Sequence, residues 1–153
     1  MKKIIILGSS GTIGSYLTKT LNEDFHIIAT VRKLSDLMVF ENQKNMSLFK
    51  VDFSEKNDIK TFLKEMKDEK DLYGLINCYS IQNPIGKFKD IDFSAWEDNL
   101  KLNFLNFSFF VQKLLPIAHN LKKIIAFSGG GATFGRENFS AYAIAKIALY
   151  KYI

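Results

Sequence analysis

The stretch Lys3-Ile4-Ile5-Ile6-Leu7-Gly8-Ser9-Ser10-Gly11-Thr12-Ile13-Gly14 decides how this chain folds, because its period changes halfway along. Residues 3 to 7 form a short apolar run with β-branched bias, the pattern of a strand buried on both faces of a parallel sheet. Glycines end that run at Gly8. From Thr12 onward Ile13, Leu17 and Leu21 recur at four-residue spacing, which places them on one face of a helix. Phe25 to Val31 is strand-like again, so the opening makes a strand-helix-strand unit of about 30 residues.

Working outward, the alternation repeats. A helix is expected near residues 34 to 43, and a strand at Ser47 to Val51. A helix capped by Ser54 follows, with Ile59, Phe62, Leu63 and Met66 on one face. Leu72 to Asn77 reads as the fourth strand, followed by a loop holding Pro84 and Gly86. A long helix runs from Ser94, where Ser94-Ala95-Trp96-Glu97 matches a capping box, to about Leu115. Lys123 to Phe127 is the fifth strand, Ser128 to Gly135 a glycine-rich loop, and residues 140 to 152 a fifth helix carrying Ala141, Ile144, Ala145, Ala148 and Leu149. Five strands alternating with five helices predict an α/β fold with right-handed crossovers, a Rossmann-type doubly wound parallel sheet.

Composition is compatible with one domain over residues 1–153, since 47% of the residues are hydrophobic and no linker, repeat or low-complexity tract divides the chain. The 21 Lys and Arg against 16 Asp and Glu leave a charge of only +5, spread along the sequence, which argues against a nucleic-acid partner. One cysteine, Cys78, excludes a disulfide framework and a cysteine-rich zinc site, and points to the cytoplasm. The apolar run at the start stops at Leu7, too short for a signal peptide, and no run reaches the length of a membrane span, so no membrane partner is expected.

Gly8, Ser10, Gly11, Thr12, Ile13 and Gly14 lie between the first strand and the first helix, where a nucleotide-binding fold puts its pyrophosphate loop. Glycines allow a sharp turn and a close approach, and the free N–H groups of a helix start attract negative charge. After the second strand Arg32 and Lys33 stand where an acidic residue would hold the ribose hydroxyls of NAD(H). Two cations there suit a 2′-phosphate, so NADP(H) is the preferred cofactor, with NAD(H) also possible. Tyr142 and Lys146 are one turn apart on the last helix, and a cation beside a phenol favours transfer of its proton to or from a substrate oxygen.

Together, in this order, these motifs resemble the short-chain dehydrogenase/reductases, along the whole chain. The resemblance rests on the glycine loop, Asp52 after the third strand, Asn77 after the fourth, Asn103 in the long helix, Ser128 after the fifth strand, and the Tyr142/Lys146 pair. It implies a sheet of order 3-2-1-4-5 and an oxidoreductase interconverting a carbonyl and an alcohol. It also implies that Asp52 and Phe53 sit at the adenine, Asn77 beside the adenosine ribose, and Lys146 at the nicotinamide ribose. Tyr142 would be the general acid/base, Ser128 would bond the substrate carbonyl, and Asn103 would position a proton-relay water. Small-molecule carbonyls or alcohols are the expected partners, together with further copies of the chain; no metal is expected.

Several residues depart from the family pattern. Its usual Asn-Asn-Ala-Gly is here Asn77-Cys78-Tyr79-Ser80. Gly129 competes with Ser128 for the aligned serine position, and Ser128 is preferred because it carries a hydroxyl. The Gly-x-x-Gly-x-x-Gly spacing keeps a nucleotide-sugar-modifying relative open as an alternative. Family members run to about 250 residues as one domain, so the chain reads as truncated at the C-terminus, lacking the last strands. A truncated or catalytically silent dinucleotide-binding module is therefore the competing expectation. His26, His119 and Cys78 read as structural, as does the cluster Phe104, Phe107, Phe109 and Phe110, which suits core and subunit interface. The fifth strand, with Ile124, Ile125, Ala126 and Phe127, becomes a bare apolar edge that predicts self-association.

Overall fold

The computed structural model describes residues 1–40 and 43–153. Five parallel strands form one sheet: β1 (Lys3–Leu7), β2 (His26–Val31), β3 (Met46–Lys50), β4 (Leu72–Asn77) and β5 (Lys123–Ala126). Their order is β3-β2-β1-β4-β5, as expected. In register, Ile5 stands between Ile28 and Leu75, and Leu75 in turn faces Ile124. The helices are α1 (Thr12–Leu21), α2 (Lys56–Glu65), α3 (Phe93–Leu100), α4 (Asn106–Leu114) and α5 (Ser140–Tyr152).

Strand alternation divides the core in two. Ile5, Leu7 and Ile28 point to the face where Ile59 and Phe62 of α2, Phe107 and Phe110 of α4 and Leu149 of α5 pack. Ile4, Ile6, Ile27 and Ile76 point to the other, where α1 supplies Leu17 and Leu21. Phe110 is fully buried and stacks on Phe62 at 5.8 Å, with Phe53 edge-on at 5.6 Å. Phe107 and Phe110 are thus core, and Phe104 and Phe109 pack against them half-buried.

Several elements differ from the sequence reading. Instead of a helix near 34 to 43, a 3₁₀ turn spans Leu34–Phe40, while residues 41–42 of that expectation lie outside the described residues. Ile13 is exposed; α1 meets the sheet through Gly14, Leu17, Thr18 and Leu21, because the small Gly14 lets the helix approach the glycine loop. Glu55, not Ser54, is the N-cap of α2, and Ser54 donates from its N–H and Oγ to Asp52 Oδ1 at 2.9 and 2.7 Å. Likewise Asp92 caps α3 by accepting from the Ser94 N–H, so Ser94 is inside the helix. In both places a carboxylate two residues upstream of the serine reaches the backbone or hydroxyl first. The long helix runs without a break from Phe93 to Leu114, but between α3 and α4 it widens into a π-helical turn at Lys101–Leu105, with the Asn106 N–H donating to Lys101 O.

Candidate active site

In a doubly wound sheet a crevice opens where neighbouring crossovers leave in opposite directions, here between β1 and β4. Two glycines shape the loop above it. Gly8 has φ of 76°, and a Cβ there would lie 3.0 Å from Tyr79 N. A Cβ on Gly14 would stand 2.2 Å from Gly8 O, so any side chain would push α1 off the loop. Gly11 opens α1 in extended conformation with no side-chain cap, and the first turn holds no acidic residue. The first N–H groups of the helix, at Thr12, Ile13 and Gly14, therefore keep their capacity for an anion.

Beside this loop a cleft of about 240 Å³ is lined by Gly8, Ser10, Gly11, Arg32 and Phe53 of the sequence-expected set, and also by Asp36 and Tyr79. Lys33 is exposed next to Arg32. Asp52 and Asn77 do not line the cleft but build its walls. Asp52 Oδ1 holds the turn into α2 through Ser54, and the buried Asn77 Oδ1 accepts from the Tyr79 N–H at 3.1 Å. Tyr79 is half-buried with its ring 6.0 Å from Phe53. Burial pushes its phenol up, the Asp52 charge adds to that, and Arg32 opposes it. Its hydroxyl thus feels the charges of Asp52 and Arg32.

The second half of the site is carried by α5. Lys146 is 3% exposed, its Nζ donates to Phe127 O at 2.8 Å, and it lies 5.5 Å from the Tyr142 ring centre. Burial lowers the Lys146 pKa, and the Cys78 thiol opposes that change. Burial likewise pushes Cys78 up to about 11, with Lys146 pulling it down. Since Cys78 also lines the cleft, it joins the glycine-loop side of the crevice to the Tyr142/Lys146 pair. Tyr142 is 9% exposed.

Among the described residues no hydrogen bond joins Ser128 to the Tyr142 phenol. Ser128 is exposed and lines a separate pocket with Ala126, Leu149, Tyr150 and Ile153. Against Tyr142 Oη stands Gly129, whose hypothetical Cβ would lie 3.0 Å away. Asn103, 2% exposed, sits in the π-helical turn. Its Oδ1 accepts from Ser80 Oγ at 3.2 Å and the Ile81 N–H at 2.9 Å, while its Nδ2 donates to Ile81 O and Asn99 Oδ1, each at 2.8 Å. With every side-chain group engaged, Asn103 fixes the loop after β4, and the widened turn around it is a common device at functional sites.

Sequence reasoning missed three residues. Asn99 is fully buried and donates to Asn83 O at 2.6 Å, and Asn106 donates to Phe53 O at 2.6 Å, tying the loops after β4 and β3 to the helix. Asp36 is the third. The uncapped helix start, the two close-approach glycines and the cation in the cleft fit the phosphates and adenosine of a dinucleotide.

Comparison with known proteins agrees with this fold. The short chain dehydrogenase family model matches residues 2–153. A short chain dehydrogenase/reductase from Saccharomyces cerevisiae superposes with a TM-score of 0.90 at 20% identity, covering 99% of this chain and 63% of that one. A 3-oxoacyl-acyl-carrier-protein reductase from Brucella melitensis gives 0.87 at 17% identity, over 99% and 67%. A short-chain dehydrogenase/reductase from Burkholderia vietnamiensis gives 0.84 at 16% identity, over 98% and 73%. The chain thus spans 63% of the length of the yeast protein it matches. No curated protein matches it.

Proposed function

We propose, on the premise that this chain belongs to the short chain dehydrogenase family, that residues 1–153 are a single dinucleotide-binding unit of an NADP(H)-dependent oxidoreductase that interconverts a carbonyl and an alcohol. The observation that carries this reading is the desolvated Lys146 ammonium beside the Tyr142 phenol, at the end of a crevice with an uncapped helix start. The cofactor would supply or accept the hydride. Gly8, Gly11 and the N-terminus of α1 would hold its phosphates, Arg32 and Lys33 the 2′-phosphate, and Asp52, Phe53 and Asn77 the adenosine.

Tyr142 holds the proton that passes to or from the substrate oxygen. Lys146, kept in place by Phe127 O, stabilises the negative charge left on the phenol oxygen as that proton departs. Gly129 suits this place because a Cβ there would stand only 3.0 Å from Tyr142 Oη and crowd the phenol. Asn103 is a positioning residue, acting through the loop at Ser80 and Ile81 that borders the cleft. Tyr142→Phe is expected to lower turnover of carbonyl substrates by about 10²–10⁴-fold with cofactor affinity little changed, whereas Ser128→Ala leaves turnover within about twofold. Steady-state kinetics and cofactor titration of both variants check this. A Tyr142→Phe enzyme that turns over normally rules the assignment out.

A second reading is favoured by Tyr79 in the cleft and the glycine beside Tyr142: a module that binds the dinucleotide without turning substrate over. Cofactor binding with no reduction of any of a broad set of carbonyl compounds supports that reading against the first.

A further inference from the structure

We propose that Asp36, held by Ser10 of the glycine loop, opposes Arg32 in selecting the cofactor, disfavouring a 2′-phosphate and keeping NAD(H) usable. The inference rests on the dinucleotide reading above. Ser10, Arg32 and Asp36 line the same cleft. Ser10 Oγ donates to Asp36 Oδ2 at 3.1 Å, bridging residues 26 positions apart, and Ser35 Oγ reaches Oδ1 at 3.5 Å. The Asp36 N–H donates to Lys33 O at 3.1 Å, which fixes the start of the 3₁₀ turn and the direction of its side chain. Asp36 is therefore aimed at the phosphate loop.

No ion pair joins Asp36 to Arg32 or Lys33 among the described residues. An anion and a cation thus share one rim without neutralising each other. A ribose hydroxyl can donate to a carboxylate, whereas a phosphate ester gains from the guanidinium and is repelled by that carboxylate. The two side chains select in opposite directions, and Ser10 decides how firmly the carboxylate stays in the cleft. The strand-end pattern alone, Arg32-Lys33, hides this because Asp36 reaches the loop from the turn beyond.

The test is the dissociation constant of NADPH and of NADH for the wild type, Asp36→Asn and Ser10→Ala, by tryptophan quenching or thermal shift at low and high salt. Asp36→Asn, nearly the same shape, is expected to raise the preference for NADPH over NADH by about tenfold, and less at high salt because exposed charges are screened. Ser10→Ala keeps the carboxylate but frees it, and is expected to move the ratio the same way by a smaller factor. An unchanged ratio in Asp36→Asn, with both cofactors binding, overturns this inference alone. Failure of the wild type to bind either cofactor overturns the dinucleotide reading, and this inference with it.

Discussion

At the scale of single residues, the site joins groups that a sequence reads easily to groups it hides. Gly8 and Gly14 were legible because their spacing encodes a turn, and the structure gives each a specific clash to avoid. Lys146 was legible as the helical neighbour of Tyr142. Asn99, Asn106 and Asp36 were not, since their partners lie 16, 53 and 26 residues away and nothing local marks them. Gly129, which the sequence set against Ser128 for one position, is the residue whose backbone packs against the phenol. Cys78 offers a local check. With its pKa raised to about 11 it should be alkylated by iodoacetamide far more slowly than an ordinary exposed thiol at neutral pH. Because it lines the cleft, NADPH should slow the reaction further. A rate unaffected by saturating NADPH would contradict the placement of the cofactor.

At the scale of elements, strands were legible because a doubly covered sheet demands unbroken apolar runs, and shifts of one residue at β2, β3 and β5 are end effects. Helix starts were misread where Asp52 and Asp92 compete with nearby serines for backbone and hydroxyl donors. The π-helical turn at Lys101–Leu105 could not be seen, since its apolar pattern continues that of a helix. The β2 to β3 pairing adds a pH dependence. His26 bonds Ser47 Oγ at 2.8 Å, and burial, then the Lys3 charge, hold its pKa below the ordinary 6.5. Between the lowered folded value and 6.5 the unfolded chain takes up a proton that the folded chain does not. Stability should therefore fall as pH drops through that window, and urea titrations of His26→Gln should show a weaker fall. Equal slopes for the two proteins would remove His26 from the account.

At the scale of the whole molecule, the sheet is covered unevenly. Residues from α2, α4 and α5 fill one face, while α1 packs on the other beside an apolar hollow lined by Leu17, Phe25, Tyr73, Ile76, Ile125 and Phe127. Ile125 on the edge strand is 47% exposed, and Ile144, Ile147 and Tyr150 of α5 are exposed as well. Among the described residues no helix is long and apolar enough to cross a membrane. Apolar surface of this kind, next to an open strand edge, favours association with further copies. Light scattering of residues 1–153 should give a mass that rises with concentration, and a constant monomer mass would contradict this.

The proposed function requires the crevice above β1 and β4 to hold a dinucleotide phosphate at the start of α1. The most direct test is the melting temperature of residues 1–153 with increasing NADPH, for the wild type and Gly11→Asp. A Cβ at Gly11 meets only Gly8 O, at an ordinary 3.5 Å, and aspartate is a favoured residue at a helix start, so the variant should fold at least as well. Its carboxylate, however, would stand where the phosphate is expected. The melting temperature should climb with NADPH in the wild type and stay flat in Gly11→Asp, since only a ligand bound to the native state stabilises it. A flat wild-type curve, or an equal climb in both proteins, would contradict it.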